Sequence, residues 1–253
     1  MKRYKITVAY DGTNYCGWQI QPNGLTIEEV LNETLSKVLK QEITIIGASR
    51  TDAGVHALGN VAVFDAQTTI PAERIGYAIN PALPEDIRIV GSKEVAADYH
   101  PRYQDTKKTY EYHIENGTFP YPTLDRYAHF VPKKLNVDAM NQAGKILVGT
   151  HDFKSFCASK TQAKTTVRTV SDVWVTGREI TPQMREIIIH VTGEGFLYNM
   201  VRIIAGTLIK VGLGVYPPEY VKEILEAKDR SKAGETVPAK GLLLHDIQYL
   251  SEE

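Results

Sequence analysis

The order of strand-like and helix-like segments is the feature of this sequence that most restricts its fold. In the first half, apolar periodicity predicts strands over 3–10, 42–48, 60–65 and 86–95, a helix over 26–39 and a short helix opening at Pro71. Thr26, followed three residues later by Glu29, forms a capping box that starts the longer helix. The first half therefore has the order β-α-β-β-α-β.

The second half repeats this order with insertions. Strands are predicted over 107–114, 127–131, 166–176, 184–191 and 242–250, and helices over 137–148, over 196–211 and from Pro217-Pro218 onward. This is the ferredoxin-like split βαβ order. We therefore predict an α/β (α+β) fold with two tandem ferredoxin-like domains. The N-terminal domain covers 1–105 and the C-terminal domain covers 106–253.

Composition excludes several classes of protein. Lys plus Arg number 29 and Asp plus Glu number 30, so the chain is not a polycation, and only local clustering of charge bears on nucleic-acid binding. Cys16 and Cys157 are far apart and lack metal-ligand spacing, which indicates a reducing compartment and no zinc site. The longest apolar run, FLYNMVRIIAGTLIKVGLGV, contains charged residues. We expect a cytoplasmic protein without a membrane span.

Three motif fragments are set aside. The stretch from Gly47 resembles a nucleophile elbow but lacks its closing glycine, and Gly193-Glu194-Gly195 lacks the third glycine of a dinucleotide loop. Asp52 and His56 are close enough in sequence to share a metal, but further ligands are not visible nearby. A structural or solvent-exposed role for His56 is the favoured interpretation.

Asp52 lies in the stretch SRTDAGVHALGN, between two strand-like runs. Ala53 and Gly54 leave its surroundings open to a bulky planar group. A partly buried carboxylate needs a cation to stay ionised. Arg50 is the nearest cation in sequence. In an extended loop, however, a residue two positions from Asp52 is also able to point its side chain at a group other than that carboxylate. The stretch is either a surface turn with a weak ion pair or a reactive carboxylate.

Two further patterns each allow a structural and a functional interpretation. Arg202 lies on an apolar helix beside Met200 and Ile203, where an arginine either snorkels to water or has an ionic partner. Tyr110 and Tyr112 share one face of a strand that begins with lysines. Two such aromatics are usually core residues, and beside lysines they also suit stacking on a base.

A basic stretch without acidic residues follows Asp152 and ends before Asp172. It contains Lys154, Lys160, Lys164 and Arg168. Most short clusters of charge are solvated loops. A stretch that lacks carboxylates also suits contact with phosphates, and the sequence leaves both interpretations open.

Five segments together resemble one family. They are AYDGTNYCGWQIQPNGLTIEEVL, GASRTDAGVHALGNVAVF, KKTYEYHI, GEGFLYNMVRIIAGTL and KGLLLHDIQY. They occur in the order found in the TruA family of tRNA pseudouridine synthases, and the similarity covers essentially the whole chain. RTDAGVHA is highly specific for that family. No departure is visible at the positions of the family's chemistry.

The resemblance implies isomerisation of uridine to pseudouridine at positions 38, 39 and 40, in the anticodon arm of tRNA. The N1–C1′ bond breaks, the detached uracil turns, and C5 bonds to C1′. Neither a cofactor nor a metal is implied. Asp52 matches the catalytic nucleophile. Attack on C1′, attack on C6 and assistance in proton loss from the ribose all remain open as its role.

The resemblance also implies roles for four other residues. Arg202 matches the arginine that pairs with the catalytic aspartate, and Tyr110 matches the tyrosine that stacks on the target uracil and assists loss of the C5 proton. Arg50 matches the arginine that fills the space left by the extruded uridine, and Leu244 matches the aliphatic floor of the pocket. The implied fold is a joined, mixed and mainly antiparallel sheet with a central cleft. The implied assembly is a homodimer in which one tRNA touches both subunits.

Two rival hypotheses make different predictions. A non-catalytic tRNA-binding module of the same fold would be favoured by loss of the aspartate or the pocket tyrosine, yet Asp52 and Tyr110 are both present. A structural ferredoxin-like protein that binds no RNA predicts no clustered positive charge, in contrast to the basic stretch. The enzyme is therefore the preferred hypothesis.

Overall fold

The computed structural model describes residues 1–158 and 163–250 and divides into two units. Unit 1 contains Met1–Thr106 and the terminal segment from Leu244, and unit 2 contains Lys107–Leu243. The predicted C-terminal domain, 106–253, included the terminal segment that the structure groups with unit 1. No helix in the described ranges is long and apolar enough to cross a membrane.

The elements of unit 1 follow the predicted β-α-β-β-α-β order. They are β1 (Lys2–Tyr10), α1 (Ile27–Leu39), β2 (Ile46–Gly47), β3 (His56–Ala66), α2 (Ile75–Ile79) and β4 (Ile87–Val95), and the last strand, β10 (Leu242–Tyr249), also pairs with β3. Strand β1 lies antiparallel between β3 and β4. Ile6 and Val8 of β1 and Leu31 and Leu35 of α1 are fully buried. Each such side chain contributes about 1.5–3 kcal/mol through its removal from water.

The start of α1 is confirmed, whereas the strand predicted over 42–48 is mostly wrong. Thr26 caps α1, because its hydroxyl accepts from the Glu29 N–H at 3.3 Å. In 42–45, two backbone donors bond to side chains of α1 rather than to a neighbouring strand. The Ile43 N–H donates to Ser36 Oγ at 2.9 Å, and the Ile45 N–H donates to Asn32 Oδ1 at 2.9 Å. Only β2 remains as a strand, paired antiparallel with β3.

Unit 2 has mainly antiparallel strands with helices packed against them. Its elements are β5 (Thr106–Gly117), β6 (His129–Val131), α3 (Val137–Ile146), β7 (Gly149–Asp152), β8 (Val167–Thr181), β9 (Met184–Gly193), α4 (Met200–Gly212) and α5 (Tyr220–Ala227). The sheet order is β5-β9-β8-β7, and β6 pairs parallel with β5. Helix α3 packs on β8, where a Cβ at Gly144 would lie 2.9 Å from Val173. The predicted mixed α/β fold with mainly antiparallel strands is confirmed.

Helix α4 and strand β7 of unit 2 differ from the sequence prediction. Helix α4 begins at Met200 rather than 196, because Asn199 has φ of 60° and this left-handed conformation cannot continue a helix toward the N-terminus. Strand β7 was not predicted. Its four residues, GTHD, are too short and too polar to show strand periodicity.

Candidate active site

Asp52 lies in a short loop, residues 48–55, that joins β2 to β3 and is called here the Asp52 loop. The Asp52 carbonyl accepts from the Val55 N–H at 3.1 Å, which closes a β-turn over Ala53 and Gly54. Gly54 has φ of +76°, a left-handed conformation that glycine adopts without strain. Asp52 itself is half-buried. The turn therefore explains why small residues follow the aspartate and keeps its surroundings open.

The backbone before Asp52 is held by residues 10–18, which the sequence analysis did not assign to the site. The Trp18 N–H donates to Thr51 O at 3.0 Å, and the hydroxyls of Tyr10 and Thr51 are hydrogen-bonded at 2.7 Å. A Cβ at Gly17, where φ is +87°, would lie 2.6 Å from Thr51 O. These contacts fix the main chain beside Asp52, which preorganises the carboxylate.

A buried asparagine adds a second support to the same loop. Asn60, fully buried on β3, donates through Nδ2 to Ser49 O at 3.1 Å and to the Tyr10 hydroxyl at 3.2 Å. Burial of an amide is stabilising only when its polar atoms are paired. The Asp52 loop is therefore anchored on both sides of Arg50 by hydrogen bonds that water does not reach.

His56 has a structural contact with the backbone and side chain of residues 11 and 12. Its Nδ1 accepts from the Gly12 N–H at 3.1 Å, and Asp11 Oδ1 also lies 3.1 Å from that nitrogen. The ring is buried, and a Cβ at Gly12 would overlap Val55 O. Within residues 1–158 and 163–250, no three His, Cys, Asp or Glu side chains form a group that suits a metal ion.

Arg50 is exposed, and a second arginine lies near it. Arg102 Nε donates to Gly47 O at 2.7 Å, in a part-buried contact across 55 positions of sequence. Burial, followed by the positive charge of Arg50, lowers the pKa of Arg102. Arg102 could not be identified from the sequence, because no local pattern connects HPRY to the Asp52 loop.

Tyr110 and Tyr112 lie on the buried face of β5, in unit 2. Tyr112 is fully buried, and its hydroxyl donates to Pro238 O at 3.0 Å. Burial raises the pKa of Tyr112. Tyr110 is 9% exposed and meets the edge of Phe196 at a centroid distance of 5.3 Å. Tyr112 is thus a core residue, whereas Tyr110 keeps a small accessible surface.

Arg202, on α4 in unit 2, is more than a snorkelling side chain. Its Nε donates to Val237 O at 2.8 Å and its Nη1 donates to Asn199 Oδ1 at 2.9 Å. Arg202 thus bonds to the main chain at Val237, and Tyr112 bonds to it at the next residue, Pro238. The ionic partner that the sequence analysis predicted for Arg202 stays a prediction.

The remaining predicted residues are distributed over both units. Leu244 is fully buried on β10 in unit 1. Lys154 and Arg168 belong to unit 2, with Arg168 Nη1 bonded to Thr165 O at 2.9 Å. Lys164 is exposed, and Lys160 lies outside the described residues. None of Lys154, Lys164 and Arg168 forms an ion pair with a carboxylate of the described chain.

Comparison with known proteins gives one consistent result. The family described as tRNA pseudouridine synthase matches residues 6–104 and 143–250. A relative from Clostridium perfringens (strain 13 / Type A), named tRNA pseudouridine synthase A 2, is 47% identical over 250 residues, which cover 98% of this chain and 100% of the relative. The tRNA pseudouridine synthase A of Thermoanaerobacter sp. (strain X514) is 47% identical over 249 residues, with coverage of 98% and 100%. That of Acetivibrio thermocellus is 42% identical over 249 residues, with the same coverage.

Proposed function

The chain belongs to the tRNA pseudouridine synthase family, and on that premise we propose that it converts uridine to pseudouridine at positions 38, 39 and 40 of tRNA with Asp52 as the nucleophile. The family makes it an isomerase that acts on tRNA. The observation that carries the finer assignment is the fixed turn that holds a half-buried carboxylate next to two small residues.

The reaction needs no atom from outside the substrate. The N1–C1′ bond breaks and the C5–C1′ bond forms, while the C5 proton is lost and N1 gains a proton. Asp52 must be ionised to act on C1′ or C6 or to assist loss of a ribose proton. Because an atom inside a stacked arm cannot be reached, the uridine must leave the helix. A carboxylate in a preorganised turn needs no rearrangement at that moment.

We assign the other residues in accordance with this reaction. Arg50 fills the space left by the extruded uridine, and its exposure on the Asp52 loop supports that role. Tyr110 stacks on the uracil, consistent with a ring that retains some accessible surface. Leu244 provides an apolar floor for the pocket, in keeping with its burial. The family resemblance supports a homodimer in which one tRNA contacts both subunits, and a tRNA substrate suits a cytoplasmic location.

One assay tests the function directly. The protein is incubated with unmodified tRNA transcripts that carry uridine at 38, 39 and 40, and pseudouridine is mapped chemically at single-nucleotide resolution. We expect product at these positions and none in a control transcript with cytidine there. Binding without product would favour the non-catalytic module, and product confined to another arm of tRNA would refute the anticodon assignment.

Tyr110→Phe separates stacking from proton transfer. We expect retained tRNA affinity and a loss of product, because the ring remains while the hydroxyl that assists loss of the C5 proton is removed. Tyr110→Ala should weaken binding as well, since stacking on a base is worth about 1–3 kcal/mol. Affinity and single-turnover rates provide the measurement. Full activity of Tyr110→Phe would restrict Tyr110 to a stacking role.

The basic stretch provides a prediction about salt. If Lys160, Lys164 and Arg168 each neutralise a phosphate, their joint change to Ala should reduce the slope of log affinity against log salt by roughly two units. Turnover at saturating tRNA should stay nearly unchanged, because none of the three has a role in the chemistry. The matched control replaces Lys133, Lys134 and Lys145, three exposed lysines of the same unit, with Ala. Equal slopes in the triple variant and the wild type would show that the stretch faces water.

A further inference from the structure

A turn at residues 100–103, called here the 100–103 turn, is firmly attached to unit 1. The Tyr249 hydroxyl donates to Pro101 O at 3.3 Å, and Arg3 Nη1 donates to Tyr99 O at 3.0 Å. Lys5 Nζ lies 3.7 Å from the centre of the Tyr249 ring and 5.5 Å from that of Tyr99. The turn is therefore a rigid element of the same unit that carries the Asp52 loop.

The turn places Arg102 next to the Asp52 loop. Arg102 Nε bonds to Gly47 O at 2.7 Å, three residues before Arg50, while the Arg102 N–H donates to His100 Nδ1 at 3.2 Å. Arg50 forms no hydrogen bond or ion pair with any residue in 1–158 or 163–250. Both arginines are exposed, and the charge of Arg50 acts on Arg102.

Within residues 1–158 and 163–250, no carboxylate forms an ion pair with Arg50 or Arg102. Glu28 is the acid that acts on Arg102, and its effect on the Arg102 pKa is smaller than that of Arg50. Glu28 Oε2 already accepts from the Ile20 N–H at 3.0 Å. Two like charges at close range oppose each other, and a bound anion removes that opposition. The planar fork of arginine donors matches carboxylates and phosphates, and the phosphate is the anion that a tRNA supplies.

The residue next to Arg102 is an exposed aromatic. Tyr103 is 83% exposed, and its ring is stacked on that of His100 with centroids 4.0 Å apart and an angle of 15° between the planes. One face of Tyr103 is thus supported while the side chain stays open to solvent. An arginine followed by a supported, exposed aromatic ring suits a phosphate and its adjoining base.

We propose that Arg102 and Tyr103 form an RNA-contact element beside the Asp52 loop, in which Arg102 binds one backbone phosphate of the tRNA near Arg50 and Tyr103 stacks on an adjacent base. The inference rests on the proposed function for its ligand, tRNA. Neither residue is assigned to the chemistry; both hold the substrate at the loop that carries Asp52.

The test measures equilibrium binding of an unmodified tRNA transcript in an Asp52→Asn background, where turnover does not interfere. For Arg102→Gln we expect the salt slope to fall by about 0.7–0.9 units, the value for one phosphate, with weaker affinity at moderate salt. Tyr103→Ala should weaken binding by at least about fivefold with an unchanged slope, and Tyr103→Phe should restore it. Arg74→Gln and Tyr77→Ala are the matched controls, because they alter an exposed Arg–Tyr pair elsewhere in unit 1.

Two outcomes would overturn the proposal. If Arg102→Gln keeps the slope and affinity of the Asp52→Asn parent, Arg102 binds no phosphate, and a lower unfolding temperature would then identify it as a brace for Gly47 only. If Tyr103→Ala binds as tightly as the Tyr77→Ala control, no base stacks there. Failure of the proposed function is distinguishable, since it would appear as absence of pseudouridine in the mapping assay with wild-type protein.

Discussion

Asp52→Asn is expected to abolish pseudouridine formation while tRNA affinity changes by less than about tenfold, or roughly 1.4 kcal/mol. The amide keeps the shape of the side chain but lacks the negative charge that the reaction requires. The turn that holds the residue depends on the backbone bond from Val55 to Asp52 O, which the substitution leaves in place. Product is measured by single-turnover mapping and affinity by filter binding.

Asp246→Asn is the matched control for this experiment. Asp246 is an exposed aspartate on β10 in the same unit, and it has no assigned role. Its change to Asn therefore removes one negative charge, as Asp52→Asn does, away from the proposed chemistry. We expect wild-type turnover from the control. Substantial turnover by Asp52→Asn, with the control normal, would remove Asp52 from the catalytic role and leave the family assignment intact.

We propose, from the family resemblance, that Arg202 pairs with Asp52 and keeps it ionised, so Arg202→Met is expected to lower turnover by at least about a hundredfold, the size of the loss when one preorganised electrostatic partner is removed. It should also reduce the free energy of unfolding by about 3–6 kcal/mol, because hydrogen bonds from charged donors contribute about 1.5–3 kcal/mol each. Two such bonds, to Val237 O and Asn199 Oδ1, are lost. Methionine retains most of the apolar contacts of the arginine stem.

Denaturant unfolding and single-turnover kinetics measure the two effects separately. Arg178→Met is the control, since Arg178 is an exposed arginine of unit 2 that pairs with Glu186 at 2.8 Å. A surface pair of this kind contributes up to about 1 kcal/mol. If Arg202→Met and Arg178→Met were equally stable and equally active, Arg202 would have neither a structural nor a catalytic role.

Local chemistry made the secondary structure largely predictable. Thr26 caps α1 as the sequence indicated, since a hydroxyl three residues before a free N–H needs no distant partner. Local chemistry could not show that most of 42–48 does not form a strand. Its donors bond to Ser36 and Asn32, side chains of a helix whose packing the sequence does not display.

The candidate site shows the same division. RTDAG indicated an open carboxylate, and Gly54 indeed adopts a conformation in which glycine is unstrained. The contacts from Tyr10 and Trp18 to Thr51 were not foreseen, although both residues lie in a segment that was recognised by resemblance. Motif similarity reveals that residues recur together, but not which hydrogen bonds join them.

The sequence by itself determined most of the order of the elements and the faces that they bury, because periodicity and capping act over a few residues. It also determined which reactive and charged side chains the protein contains. Only the tertiary structure placed Arg102 beside Arg50, since a contact across 55 positions to Gly47 depends on how β-strands pair and where a turn is anchored. The tertiary structure also assigned Tyr112 to the core and left Tyr103 open to solvent. Strand alternation predicts which residues share a face, whereas the surfaces that cover that face come from distant parts of the chain.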